Sequence, residues 1–212
     1  HNGIIANPNC STIQAMIPLK VLLDNYGIKR IVYSTYQAVS GAGMQGIQDL
    51  EDGLKGIAPK KFPYPIAGNC LPHIDVFLDN GYTKEEIKMI EETKKILHSD
   101  DLKITATTVR VPVLNSHSES INVELNSEFD INDIFKLFEN TDGLTVYDNI
   151  TSLKYPTALD VSGKDDVYVG RIRRDFSLDN GLNLWVVADN IRKGAALNAV
   201  QIAEVLIKNN WL

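Results

Sequence analysis

Between Ser11 and Tyr26, apolar side chains recur at Ile13, Met16, Ile17, Leu19, Val21, Leu22 and Leu23, and Gly27 follows. That spacing predicts a helix with a glycine stop, its first turn beside Cys10. Pro18 inside it lacks a backbone donor and should kink it. "RIVYSTYQAV" (30–39) is β-branched and aromatic enough for a strand, ending in the glycines of "SGAG". Residues 44–54 carry a polar-faced helical pattern. The prolines of 60–72 predict an extended connection. "TKEEIKMIEETKKIL" (83–97) is a strongly amphipathic helix that Thr83 can cap, with acids in its first turn and lysines at its end.

Two strand-like runs, "LKITATTVRVPVL" and "SESINVEL", flank the short link 115–117. A helix is expected at 130–140 and a short strand at "GLTVYD". "VYVGRIRRDF" and "LNLWVVAD" are strands joined by a turn-like segment, and 191–209 forms a closing helix. There are no internal repeats. Roughly five strands and five helices, with several strands adjacent in sequence as in antiparallel pairs, predict an α+β fold. Its sheet should be mixed and largely antiparallel, with helices packed on it.

Composition narrows the function classes. With 212 residues and 44% hydrophobic content, the chain can bury a core of one domain or slightly more. Twenty-one Lys and Arg against 27 Asp and Glu give a formal charge of −6. This suits a cytoplasmic protein acting on small molecules and offers no clustered basic face for nucleic acid. Apolar runs are too short for a membrane span, and no signal-peptide pattern opens the chain. Cys10 and Cys70 cannot form a disulfide framework for a domain of this size, so a reducing compartment is expected. "HNGIIANPNC" reads as the tail of a buried strand plus a turn. No Gly-rich nucleotide-binding motif occurs, "SGAG" being too short for one. The chain is therefore expected to be part of a longer protein.

Cys10 is the first candidate for chemistry. A helix N-terminus favours thiolate over thiol, and Asn9, Ser11 and Thr12 add polar groups where an oxyanion could form. The alternative is a small buried hydrophobe. If Cys10 is activated, it should be alkylated well below pH 8 while Cys70 is not. A thiolate nucleophile needs an acid/base partner, and His1, His73, His98 and His117 are available. His117, between two strands and flanked by Asn115, Ser116, Ser118 and Glu119, is the best placed. No metal site is expected.

"NPNCST", "YQAVSGAG", "VRVPVLNSHSES" and "ADNIRKGAALNAVQIAE" together resemble the aspartate-β-semialdehyde dehydrogenase family of bacterial type, from Asn2 to about Leu206. The resemblance implies the C-terminal fold of glyceraldehyde-phosphate dehydrogenases and NADPH-dependent conversion of aspartyl β-phosphate to aspartate semialdehyde through a cysteine thioester. This reaction feeds lysine, threonine and methionine synthesis. Cys10 would be the nucleophile, His117 the acid/base catalyst and Gln37 the residue orienting the substrate. Arg110 would clamp the α-carboxylate, Glu85 the amino group and Lys88 the phosphate, with Asn9 also against substrate. Glu86 is an alternative to Glu85, and both also read as ordinary first-turn acids. Ser40, Gly41, Gly43 and Asn190 would lie near the nicotinamide of NADP.

The family's nucleotide-binding domain has no counterpart here beyond residues 1–10. Residues 11–190 would form the catalytic and dimerisation domain, and 191–212 a helix packing on the missing domain. This chain alone is then expected to be inactive, and to assemble as a homodimer or tetramer through its sheet. Rival readings are N-acetyl-γ-glutamyl-phosphate reductase, a phosphorylating glyceraldehyde dehydrogenase, malonyl-CoA reductase, a Cys–His hydrolase and a non-enzymatic dimerisation module. "NPNCST" fits neither of the first two well. Arg110 with Glu85 favours an amino-acid substrate over a thioester.

Overall fold

The computed structural model describes residues 3–211. His1, one of the four histidines, and Asn2, where the family resemblance starts, lie outside the described residues. Helix α1 (Cys10–Tyr26) runs unbroken through the buried Pro18. Strand β1 (Ile28–Gln37), a 3-10 turn (Val39–Ala42) and α2 (Met44–Gly53) follow. After the proline-rich connection come α3 (Lys84–Leu97), β2 (Lys103–Arg110) and β3 (His117–Leu125). Then follow α4 (Ile131–Glu139), β4 (Leu144–Val146), α5 (Ala158–Val161) and the hairpin β5 (Val167–Asp175) with β6 (Gly181–Ala188).

The closing helix differs from the single helix expected at 191–209. It opens as a π-helical turn (Arg192–Ala196) and only then becomes α6 (Leu197–Lys208). Bonds from Gly194 N to Asp189 O (3.0 Å) and from Ala196 N to Ile191 O (3.1 Å) define that wider turn.

The six strands form one mixed sheet in the order β2-β1-β3-β6-β5-β4. β1 is parallel to β2 and β4 to β5, and the other three pairings are antiparallel. Sequence adjacency suggests that β2 and β3 pair with each other. Instead β1 lies between them, and the link 111–116 crosses its end. Strands in a sheet sit about 4.8 Å apart, so six residues reach across one intervening strand easily.

One face of the sheet carries the core. Ile31 and Tyr33 of β1, Ile121 and Val123 of β3, and Leu182 and Leu184 of β6 are buried beneath Leu19 and Leu22 of α1, Met89 of α3 and Phe138 of α4. The other face is more open and presents Ser34, Tyr36, Ser120, Asn122, Asn183 and Trp185. The topology also gathers strand ends. Gln37 at the end of β1 pairs with Arg110 at the end of β2, and His117 at the start of β3 pairs with Ala188 at the end of β6. Residues far apart in sequence therefore meet at one edge of the core-facing layer.

Candidate active site

Asn9 is the N-cap of α1. Its Oδ1 accepts from the backbone N–H of Ser11 (2.9 Å) and of Thr12 (3.3 Å). Its Nδ2 donates to Glu85 Oε1 at 2.8 Å, and its backbone N–H donates to Glu92 Oε2 at 2.8 Å. Two carboxylates of α3 thus hold the loop that delivers Cys10 into the first turn. Gly194 of the π-turn closes on the same point: a Cβ there would stand 3.1 Å from Cys10 Cβ.

α3 settles which of its adjacent glutamates faces the site. Glu85 accepts from Asn9 and, at 3.3 Å, from Gln37 Nε2, and it lies 3.6 Å from Lys88 Nζ. Glu86 points elsewhere. It completes a capping box with Thr83 and accepts from the backbone N–H of Thr83 (2.8 Å) and Thr108 (2.9 Å). Adjacent helix residues point about 100° apart, which separates the two roles. Lys88 is partly exposed and pairs with Asp75 at 3.0 Å, which helps keep its ammonium charged.

His117 is fully buried. Its Nδ1 accepts from the Ala38 backbone N–H at 3.0 Å, which assigns the ring proton to Nε2, an atom without a protein partner. Burial first, and the nearby Arg110 charge second, push the imidazole down to about 3, so it is neutral. Arg110 is buried too, with Nη1 donating to Ala38 O at 2.6 Å and its guanidinium 6.0 Å from the centre of the Phe62 ring. Gly41 lies against both. A Cβ on it would meet Arg110 Nη1 at 3.0 Å and the His117 ring at 3.2 Å.

Ser40 and Asn190 are buried together. Asn190 Nδ2 donates to Ser40 Oγ at 3.0 Å, and its Oδ1 accepts from Ser116 N at 2.8 Å. This tie fixes the 3-10 turn beside the link before β3, where Ser116 has a φ of 73°. Gly43 closes the same turn, its N–H donating to Ser40 O at 2.9 Å, and has nothing within 4 Å of a Cβ position. Cys10, Gln37, Glu85, Arg110 and His117 come together, with Asn9, Gly41, Ser40 and Asn190 shaping their surroundings.

The expectation of a helix-activated thiolate is not met in the chain by itself. Burial pushes the Cys10 thiol up to about 12, and Glu85 adds to this, as does Glu119; the Ser11 N–H and Arg110 pull the other way. The helix terminus is outweighed by desolvation and by carboxylates from other elements, which the local pattern "NPNCST" cannot reveal. Glu92, Glu119 and Gly194 also escape the sequence reading. Glu92 alone left a signal, standing two turns after Glu85 on the same face of α3. Among the described residues, no group of three or more His, Cys, Asp or Glu side chains is placed to hold a metal ion.

A cysteine at a helix head, a neutral buried histidine, and an arginine and a carboxylate near the thiol make up a candidate site for covalent chemistry. The profile of the semialdehyde dehydrogenase dimerisation domain matches residues 19–193, and the chain belongs to that family. It is 54% identical over 217 residues to the aspartate-semialdehyde dehydrogenase of Aquifex aeolicus, covering 99% of this chain and 64% of that protein. The Legionella pneumophila enzyme of the same name is 53% identical, with 96% and 61% covered. The chain thus spans less than two thirds of these relatives. The crystal structure of Vibrio cholerae aspartate semialdehyde dehydrogenase II complexed with ASA superposes with a TM-score of 0.92 at 48% identity, covering 97% of this chain and 62% of that one. A Candida albicans aspartate semialdehyde dehydrogenase with NADP gives a TM-score of 0.74 at 28% identity, over 99% and 59% of the two chains.

Proposed function

We propose that this chain is the catalytic and dimerisation part of an aspartate-semialdehyde dehydrogenase, a cytoplasmic enzyme of amino-acid biosynthesis. It would interconvert aspartyl β-phosphate and aspartate β-semialdehyde, with release or uptake of phosphate. The observation that carries the reading is the placement of Glu85 and Arg110, opposite charges that both act on the Cys10 thiol. An amino acid with a reactive β-carbonyl needs that set: an anion for its ammonium, a planar two-pronged cation for its carboxylate, and a nucleophile between them.

In the synthetic direction, Cys10 Sγ attacks the acyl carbon, the C–O bond to phosphate breaks and the thiol proton leaves with the phosphate, so that a thioester remains. Gln37, already bonded to Glu85, holds the substrate beside the sulfur. His117, with its proton on Nε2, is a ready donor to oxygen that gains charge at the carbonyl. Lys88 offers a cation for the departing phosphate. The family resemblance puts the nicotinamide near Gly41, whose lack of a side chain lets that turn lie against Arg110 and His117, and NADPH, when bound, would supply the hydride that reduces the thioester. Ser40 and Asn190 bond to each other and would hold that turn in shape. A homodimer would form through the open face of the sheet, where the Tyr36 and Trp185 rings pack 5.5 Å apart.

The test is a chimera joining this chain to the nucleotide-binding domain of the Aquifex relative. Phosphate-dependent reduction of NADP by aspartate semialdehyde is expected, with loss of at least about a thousandfold on Cys10→Ala. A folded chimera without this activity, or one in which Cys10→Ala retains it, overturns the reading.

A further inference from the structure

Glu119 follows His117 by two residues on β3 and faces the same side of the sheet. Thr35 of β1 and Val186 of β6 are its register neighbours. The side chain is wholly buried, and neither carboxyl oxygen has a protein hydrogen-bond partner. Two hydroxyls in the first turn of α1, Ser11 Oγ and Thr12 Oγ1, are equally buried and equally unpartnered.

The same chain shows how it keeps a buried carboxylate charged. Asp49 accepts from the backbone N–H groups of Lys60, Lys61 and Phe62, each at 2.8 Å. Such donors stabilise the ionised form. Glu119 has no donor of this kind, and among the described residues none of the ion pairs includes it. A carboxylate there would be a bare charge in the interior, which is strongly unfavourable. A carboxylic acid is both donor and acceptor and matches the Ser11 hydroxyl beside it.

We propose that Glu119 is an un-ionised carboxylic acid acting as a positioning residue behind Cys10: it donates to the Ser11 hydroxyl in the first turn of α1, and its neutrality spares the thiol a further negative charge. The electrostatics agree. Burial pushes this carboxyl well above the usual carboxylate range, and the Ser11 hydroxyl beside it acts in the opposite direction without reaching hydrogen-bond geometry. The titratable groups around it are Cys10 on α1, His117 on its own strand and Tyr33 on β1. Its β6 neighbour, Val186, brings no charge. Ionised, Glu119 would push the thiol further up, adding to Glu85. Glu119 thus deepens the reading of Cys10 as the nucleophile and rests on that reading for its consequence.

Infrared difference spectra and alkylation of Cys10 by iodoacetamide, followed by mass spectrometry, test this on the full chain and its Glu119→Gln and Glu119→Ala variants. The wild type at pH 7 should show a protonated-carboxyl C=O band that Glu119→Gln lacks. Glu119→Gln should keep the Cys10 alkylation rate within about threefold of wild type from pH 7 to 10, since neutral replaces neutral. Glu119→Ala, which removes the donor, should shift that rate by more than about threefold. Should the alanine variant not fold, the band and the glutamine variant still decide. No band lost, an alkylation rate in Glu119→Gln more than threefold above wild type, or a folded alanine variant that reacts like wild type would each overturn the proposal. The band needs no enzymatic assay, so an inactive chimera with the band intact would sink the dehydrogenase reading alone.

Discussion

At the scale of single residues, the acidity of Cys10 is a contest among groups from four elements. After burial, Glu85 is the largest influence holding the proton on, while Arg110 favours its loss. Glu85→Gln should therefore speed alkylation of Cys10 at pH 8, by about tenfold for each pK unit the thiol falls. Arg110→Met should slow it, and Cys70, which is exposed, serves as the internal reference. A Glu85→Gln chain no faster than wild type would refute this electrostatic account. In the proposed reaction, a substrate ammonium seated on Glu85 has the same effect as the glutamine. The nucleophile is then sharpened by the molecule it is to attack.

At the scale of elements, the α1 N-terminus is the joint most open to test. Asn9→Ala removes the cap and the bond to Glu85, and should lower stability by about 1–2 kcal/mol, read as a fall in the urea midpoint with an unchanged slope. Gly194→Ala should displace Cys10 by a few tenths of an ångström. In the chimera this should lower kcat about tenfold with little change in the urea midpoint. Most elements were legible in the sequence because amphipathic period and caps are local signals: Thr83, Asp130 and Gly27 all stand where the helices begin or end. Strand partners were not legible. Alternation tells which face of a strand is buried but not which neighbour it takes, so β1 between β2 and β3 went unforeseen. The π-turn was equally hidden, since 191–196 has ordinary helical composition. Among site residues, those with a motif of their own (Cys10, Gln37, Arg110, His117) could be read. Glu119 could not, because its role exists only once separate elements pack together.

At the scale of the whole molecule, two buried groups tilt stability against pH in opposite senses. His117 is held at about 3 in the native state against an ordinary 6.5, so between those values the unfolded chain binds a proton that the native chain does not. Stability therefore falls as pH drops from 6.5 toward 3, and His117→Gln should flatten that limb of a Tm–pH curve. Glu119 is raised above its ordinary 4.5, so the native chain holds the extra proton and stability declines as pH rises past that value. Glu119→Gln should therefore gain Tm over wild type at pH 7 and gain nothing at pH 4. For assembly, Ser120 sits at the middle of the open face, between Ser34 and Trp185. Ser120→Arg should shift sedimentation from dimer to monomer with the circular dichroism spectrum kept; a variant that remains dimeric would place the interface elsewhere.

The contact of Gly194 with Cys10 has a kinetic side as well. Asn7 Nδ2 reaches Ala195 O at 3.0 Å, and Asn198 Nδ2 reaches Asn7 Oδ1 at 2.8 Å, so the same seam is stitched on both sides. It closes a loop between residues 188 and 191 positions apart, and such long-range closures are slow to form because their entropy is lost before any contact rewards it. During synthesis, then, the reactive sulfur meets its final surroundings only after α6 has emerged from the ribosome. Until that helix has been made, a growing chain would carry an unshielded cysteine.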